Sequence, residues 1–146
     1  MPVQVVPDIK QAFIERLEAE AAITSLTAGR ISSVLRRTWT MPDYAITLRV
    51  SGTGPGGDDF ELGMIRSRID FEFYGSTPER AMTLWRTAHP YIVPNRGSGR
   101  KVAFKQANCR VDNVVKEGGP SEIVDEVTSY PFVLATYIVT WFELPT

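Results

Sequence analysis

Two side chains in this sequence have types suited to acid–base or nucleophilic chemistry. His89 is the single histidine and Cys109 the single cysteine. A histidine general base needs a nucleophile and an orienting acid within hydrogen-bond reach, and the sequence offers no evident pair for His89. Its place before Pro90 favours a residue that caps helix carbonyls or lies exposed. Cys109 falls in a strand-like pattern, which favours a small buried hydrophobe over a thiolate.

The glycine-rich residues 52–57 resemble a phosphate-binding loop in composition only. Such loops need a lysine and a helix start behind them, whereas Asp58 and Asp59 follow here and would repel phosphate. Asp58, Asp59 and Glu61 have the oxygen ligands of a hard cation, but not the spacing of a calcium loop. We therefore predict no metal, no cofactor and no catalytic residue. The favoured interpretation of these acids is a solvated acidic loop, and the same loop could also meet a basic neighbour.

The densest basic stretch contains Arg96, Arg100 and Lys101 beside glycines. These side chains could contact a phosphate backbone without reading its sequence. A solubilising loop is the alternative interpretation, since no aromatic residues alternate with the charges to stack on single-stranded bases.

The composition is that of one soluble domain. The chain has 146 residues, of which 43% are hydrophobic and 23% charged, with a formal net charge of −1. Proteins that grip nucleic acid by neutralising phosphates usually carry a clear basic excess. A single cysteine cannot form a disulfide within the chain, which fits a reducing cytoplasm. The apolar residues 132–142 are too few for a membrane-spanning helix.

The periodicity of the N-terminal half predicts two helices and two strands. Residues 8–22 have helical spacing, with Asp8 as cap and Gln11 as its capping-box partner. Residues 44–50 and 65–73 alternate as strands, joined by a long loop as an antiparallel pair. Thr77 and Pro78 begin a second helix, which Pro90 and Pro94 are expected to end. Residues 30–41 stay unassigned.

The C-terminal half predicts two further strands. Residues 102–115 alternate loosely, and the glycines and proline at 118–120 are expected to break that strand. Residues 121–130 are acidic and unassigned. Residues 132–142 are apolar on both faces, which predicts a strand covered on both sides or one whose second face meets a partner. The order favours an α+β fold: a single domain, 1–146, with two helices on a mainly antiparallel or mixed sheet and long loops near 51–63 and 94–101.

The second strand carries charges on its outer face. Arg66, Arg68, Asp70 and Glu72 alternate with Ile65, Ser67, Ile69, Phe71 and Phe73. The four charged residues could form solvated cross-strand pairs. They could equally form a charge-complementary seam against an identical subunit, and they are our candidate subunit interface.

The order of these motifs is similar to that of the tail-terminator, or tail-completion, proteins of long-tailed bacteriophages. The resemblance rests on Phe13-Ile14-Glu15-Arg16-Leu17, Ala21-Ala22-Ile23, Gly29-Arg30-Ile31, Pro42 before Tyr44-Ala45-Ile46-Thr47-Leu48, Ile69-Asp70-Phe71-Glu72-Phe73-Tyr74, Thr77-Pro78-Glu79-Arg80-Ala81, and a last strand with Tyr137 and Trp141. It covers most of the chain and is weakest over residues 95–129.

This resemblance implies a structural protein of the virion, placed in the tail or neck region and assembled in the host cytoplasm. Such proteins form a homo-oligomeric ring, usually a hexamer, on the last ring of the tail tube. The partners it implies are the tail tube protein, a head-completion or connector protein, and DNA that passes through the lumen without sequence reading. Membrane contact is not implied. The loop acids are then candidate docking residues, and the basic loop residues candidates for the lumen.

Two other functions stay open from the sequence. The chain could be another neck or tail-tube component, which would share its size and class. A less favoured alternative is a small-ligand-binding α/β domain that works through the basic loop and His89.

Overall fold

The computed structural model describes residues 8–53, 63–93, 104–106 and 108–144. Within these ranges the helices are α1 (Ile9–Glu18), α2 (Ala21–Thr27) and α3 (Pro78–Ile92). The strands are β1 (Ile31–Ser32), β2 (Ala45–Thr53), β3 (Met64–Tyr74), β4 (Phe104–Gln106), β5 (Cys109–Val124) and β6 (Pro131–Glu143). The strands form one sheet in the order β1-β2-β3-β6-β5-β4. The β1–β2 pair is parallel and the other pairs are antiparallel, which confirms the α+β class.

The helices pack against one face of this sheet. Alternate side chains of β3 and β6 point to that face and are buried, as the period of two requires. Phe71 lies at its centre, with its ring centroid 5.6 Å from that of Phe13 on α1 and 5.4 Å from that of Tyr137 on β6. Both contacts are edge-to-face, the arrangement that aromatic quadrupoles favour.

The predicted pairing of the two central strands is confirmed. β2 and β3 are antiparallel, with Ile46 opposite Phe73 and Leu48 opposite Phe71. The β3 alternation has the predicted phase, with Ile69 buried and the charged residues on the other face. At the far end of β2, Val50 lies opposite Ile69 just before a bulge, and its side chain is 42% exposed.

The single helix predicted over residues 8–22 is wrong, because the chain breaks at Glu20. That residue is extended and precedes α2. Leu17 and Ile23 are both fully buried, although six residues of continuous helix would place them about 120° apart around the axis. The break allows both side chains to reach the same core. Asp8 caps α1 as predicted, whereas Gln11 donates to Glu15.

The expectation that Pro90 helps to end α3 is also wrong, whereas the observed end at Ile92, two residues before Pro94, agrees with the other part of that prediction. Thr77 caps the helix as predicted, but the helix continues through Pro90 to Ile92. Pro90 lacks the N–H that would bond one turn back, and this loss falls in the last turn only. Ile92 is fully buried one turn after Ala88, so the continued turn adds core contact. No helix in the described ranges is long and apolar enough to cross a membrane.

The predicted break at residues 118–120 is wrong, since β5 runs through them. The register against β6 shifts between Lys116 and Gly118 and again between Gly118 and Ser121. Each shift inserts one extra residue, which is a β-bulge. Gly119 adopts a φ of 85° in the second bulge, a conformation that glycine accepts without a Cβ penalty. The two glycines therefore bend the strand and do not end it.

The β5–β6 hairpin ends in a tight turn in the acidic stretch that the sequence left unassigned. The Asp125 carboxylate accepts hydrogen bonds from the backbone N–H groups of Val127 and Thr128, each at 2.8 Å. Its backbone bonds to Tyr130 and Ser129 close the turn. An aspartate that bonds its own backbone in this way is a common turn initiator.

Candidate functional site

His89 belongs to a hydrogen-bonded cluster between α3 and β6. Its Nδ1 lies 2.8 Å from the Tyr137 hydroxyl, and the Trp85 indole N–H donates to the same oxygen at 3.1 Å. Tyr137 is fully buried and His89 partly buried. The expectation that His89 caps carbonyls or lies exposed is therefore wrong, because Tyr137 opposite this turn of α3 offers a buried partner.

The Tyr137 hydroxyl is the shared partner in these bonds. The indole can only donate, so the Tyr137 oxygen accepts from Trp85. The hydroxyl keeps a proton and a second lone pair for His89 Nδ1, and the direction of that bond follows the His89 tautomer. Burial, and then the Lys116 ammonium, lower the pKa of His89. Burial raises the pKa of Tyr137 to about 12. Both rings are therefore neutral at pH 7, and the cluster joins the helix to the sheet.

We expect this cluster to make stability depend on pH. Because folding lowers the pKa of His89 below its ordinary 6.5, its contribution is complete above that pH and is lost as the pH falls through the folded-state value. His89→Gln should flatten the decline in the free energy of unfolding between pH 7.5 and 5, measured by urea denaturation. No other histidine titrates in this chain. Parallel curves for the two proteins would contradict the expectation.

Cys109 is buried as predicted. Burial is the main cause that raises the pKa of its thiol to about 11, with the Asp8 charge adding to it. At neutral pH this cysteine is a protonated, packed side chain, which agrees with the role of a small hydrophobe.

The charged row of β3, Arg66, Arg68, Asp70 and Glu72, lies on the sheet face opposite the helices. Arg68 donates two hydrogen bonds to Glu117 on β5, at 2.7 and 2.8 Å, and reaches across β6 to do so. The Glu117 carboxylate raises the pKa of Arg68. Asp70 accepts from Thr136 at 2.7 Å and lies 3.5 Å from the Arg49 guanidinium.

Glu72 completes this set of contacts within the chain. It accepts from the Thr47 hydroxyl at 3.1 Å and from the Tyr74 hydroxyl at 2.6 Å. Burial, then this bond to Glu72, raises the pKa of Tyr74. The cross-strand interpretation of the row thus holds for Arg68, Asp70 and Glu72. Contact of the same row with a second subunit stays a prediction.

An apolar row of β6 runs beside the charged row. Its side chains are partly buried, and no helix of the described ranges covers them. Four of them are apolar, Phe132, Leu134, Ile138 and Phe142, and the other two are Thr136 and Thr140. Among the described residues, helices thus cover β6 on one face only, and contact of its second face with a partner stays a prediction. A mixed surface with an apolar centre and charged borders has the composition of a protein interface.

A cleft of about 390 Å³ opens at the β2 side of this face. Residues 33–35 form one wall, and Thr47, Arg49, Asp70, Glu72 and Tyr74 lie among the residues that form the rest. Two of the four residues of the charged row, Asp70 and Glu72, thus border this cleft. In the described ranges no group of His, Cys, Asp or Glu is placed to hold a metal ion.

Two sets of candidate residues cannot be placed. The docking-loop acids Asp58, Asp59 and Glu61 lie outside the described residues, as do Arg96, Arg100 and Lys101. Their roles stay predictions from the sequence.

Sequence reasoning missed Glu117, the partner of Arg68, and the Tyr137 hydroxyl at the centre of the His89 cluster. Neither has a local signal, since their partners are 49 and 48 residues away along the chain. The exposed Val127, which follows Asp125 and Glu126, was also missed. Its signal was available, because an apolar residue within an Asp-initiated turn is unusual for a solvated tip.

The comparisons with known proteins bear on the fold. No protein-family profile and no curated protein sequence matches the chain. Among solved structures, the chain is similar to one from the virion of a native gene transfer agent (GTA) particle, with a TM-score of 0.65 and 9% sequence identity. The similarity covers 91% of this chain and 93% of that chain. At this identity the likeness is one of fold, and it spans nearly the whole of both proteins.

Proposed function

We propose that this chain is a structural protein of a phage-type virion and not an enzyme. More specifically, it forms a ring that caps the tail tube, ends tube polymerisation and joins the tail to the head connector. The observation that carries the proposal is the nearly full-length fold similarity to a chain of a GTA virion. The resemblance of its motifs to tail terminators supports the finer role.

The open face of the sheet supports a role in assembly. Head-to-tail association needs two different patches on each subunit, and it gives a closed ring when the rotation between subunits closes. The sheet ends in unlike edges, β1 on one side and β4 on the other. Between them lies a surface with an apolar row and a charged row. A subunit of this kind offers distinct surfaces to its neighbours in the ring.

We place the charged row of β3 at the subunit boundary in this ring. Asp70 and Glu72 border the cleft at the β2 side of the sheet, where a neighbouring subunit would approach. The loop acids Asp58, Asp59 and Glu61 are proposed to dock on partner proteins, and Arg96, Arg100 and Lys101 to face the DNA in the lumen.

The experiment combines oligomer sizing with tube binding. The purified chain is examined by light scattering and negative-stain electron microscopy, alone and with tubes of the cognate tail tube protein. We expect closed rings, rings at tube ends and shorter tubes as more chain is added. A monomer that never binds tubes would overturn the proposal, and open helical tubes built from this chain would identify a tube protein instead.

The same assay tests the charged row. Arg66→Glu/Arg68→Glu should weaken ring formation, because it reverses two charges at the proposed boundary. Arg80→Glu/Arg86→Glu reverses the same number of charges at exposed positions of α3 and should leave rings intact. Equal ring formation by both variants, each folded by circular dichroism, would remove the row from the boundary.

A further inference from the structure

The most exposed large hydrophobic side chains of the described ranges lie in two places. Val127 (93% exposed) and Val124 (56%) lie at the end of the β5–β6 hairpin, and Val34 (61%) follows β1. We call residues 122–127 the hairpin tip and residues 33–37 the acceptor segment. A single exposed valine is ordinary. Here each site combines exposed apolar surface with charge of one sign.

The two sites carry opposite charges. The hairpin tip contains Glu122, Asp125 and Glu126 and no basic residue, whereas the acceptor segment contains Arg36 and Arg37 and no acidic residue. Apart from Asp125, whose carboxylate caps the turn, these four charged side chains are exposed. Charge complementarity of this kind steers two surfaces together and fixes their register.

The hairpin tip is held in one shape before any contact is made. The bonds from Val127 and Thr128 to the Asp125 carboxylate fix the turn, and the Asp125 N–H donates to the Tyr130 carbonyl at 3.0 Å. Val127 therefore projects from an ordered turn. A preorganised contact loses less conformational entropy when it binds.

The two sites lie on different sides of the subunit, as a head-to-tail contact in a ring requires. The acceptor segment lies at the β2 side of the sheet and the tip at the β5 side, with β3 and β6 between them. Three strand spacings separate β2 from β5 by roughly 14 Å, so the tip lies on the other side of its own sheet. Both sites lie towards the same half of the sheet, since Val34 lines the cleft with Thr47 and Tyr74, and Tyr74 pairs with Phe132 near the turn.

We propose that the hairpin tip of one copy docks on the acceptor segment of the next copy around the ring. Val127 packs against Val34, while Glu122 and Glu126 face Arg36 and Arg37. The contact is head-to-tail, with unlike patches on opposite sides of the subunit, and such contacts form a ring when the rotation between copies closes. This inference rests on the proposed function, because it names the ring contact.

The carboxylates already in the cleft are held by contacts within the chain. Asp70 is bonded to Thr136 and lies near Arg49, and Glu72 is bonded to Thr47 and Tyr74. The Arg49 charge offsets that of Asp70, so Arg36 and Arg37 are the cations that the acceptor segment offers to the tip.

The first experiment is a charge swap. Glu122→Lys/Glu126→Lys and Arg36→Glu/Arg37→Glu should each raise the concentration needed for half-assembly by about tenfold or more. Combining all four changes in one chain should restore assembly, since the charge pairs reappear with reversed sign. Glu18→Lys/Glu79→Lys, at exposed helix positions, is the matched control and should assemble like the wild type.

The second experiment is cross-linking, which does not depend on loss of assembly. A chain with Val34→Cys and Val127→Cys, treated with a short bis-maleimide, should give a ladder of covalent oligomers up to the ring number. Either single substitution should give none, because the buried Cys109 does not react. Rings without a ladder, together with ring formation by both charge variants, would overturn the docking contact and leave the proposed function intact. A wild-type chain that remains monomeric and ignores tubes would overturn both.

Discussion

Phe71→Ala is expected to lower the free energy of unfolding by about 3–5 kcal/mol, the largest effect of any single truncation in this core. Phe71 is fully buried and contacts aromatic rings from α1, β3 and β6. Its removal leaves a cavity at the point where the helices meet the sheet, and close packing prevents the neighbours from filling it. Urea denaturation followed by circular dichroism measures the loss.

Phe132→Ala is the matched control for this substitution. It removes the same atoms from the open face of the sheet, where Phe132 is only partly buried beside Tyr74. We expect less than half of the destabilisation, because part of that ring already contacts water. Equal losses for the two variants would contradict the assignment of the core to the helix-covered face.

Gly119→Ala is expected to destabilise the chain by about 1–3 kcal/mol from backbone strain alone. The φ of Gly119 is 85°, and an added Cβ would press against the Leu134 carbonyl oxygen and lie 3.0 Å from the Ala135 Cα. These are backbone atoms of β6, so relief requires the two strands to separate locally. Thermal or urea unfolding measures the effect.

Gly118→Ala provides the control at the neighbouring position. An added Cβ there meets nothing within 4 Å, so we expect a change within about 0.5 kcal/mol. If the two alanine variants were equally stable, the bulge at Gly119 would not have the described conformation.

Local sequence signals predicted the elements that depend on neighbouring residues. The alternation of β3 gave its buried and charged faces, since a strand places successive side chains on opposite faces. Asp8 and Thr77 gave two helix starts, because a cap bonds N–H groups two or three residues away. The same local rules failed at Glu20, Pro90 and Gly119. Tertiary contacts outweighed the local preference at each of them. The break at Glu20 lets Leu17 and Ile23 share one core, the turn after Pro90 buries Ile92, and Gly119 forms a bulge against β6.

The candidate interaction surfaces depended more on the tertiary structure. The sequence identified the charged row of β3, but it could not show that Arg68 bonds Glu117 across an intervening strand. It could not show either that the hairpin tip and the acceptor segment lie on opposite sides of the sheet. These relations follow from the strand order, which joins segments far apart in the chain.

The sequence by itself determined the fold class, the faces of the central strands and two helix caps, because short-range spacing and hydrogen bonding set these features. The tertiary structure alone decided the break between α1 and α2, the partners of the charged row and the placement of Val34 and Val127. These features depend on contacts between segments that are far apart in the chain, so a local sequence pattern does not predict them.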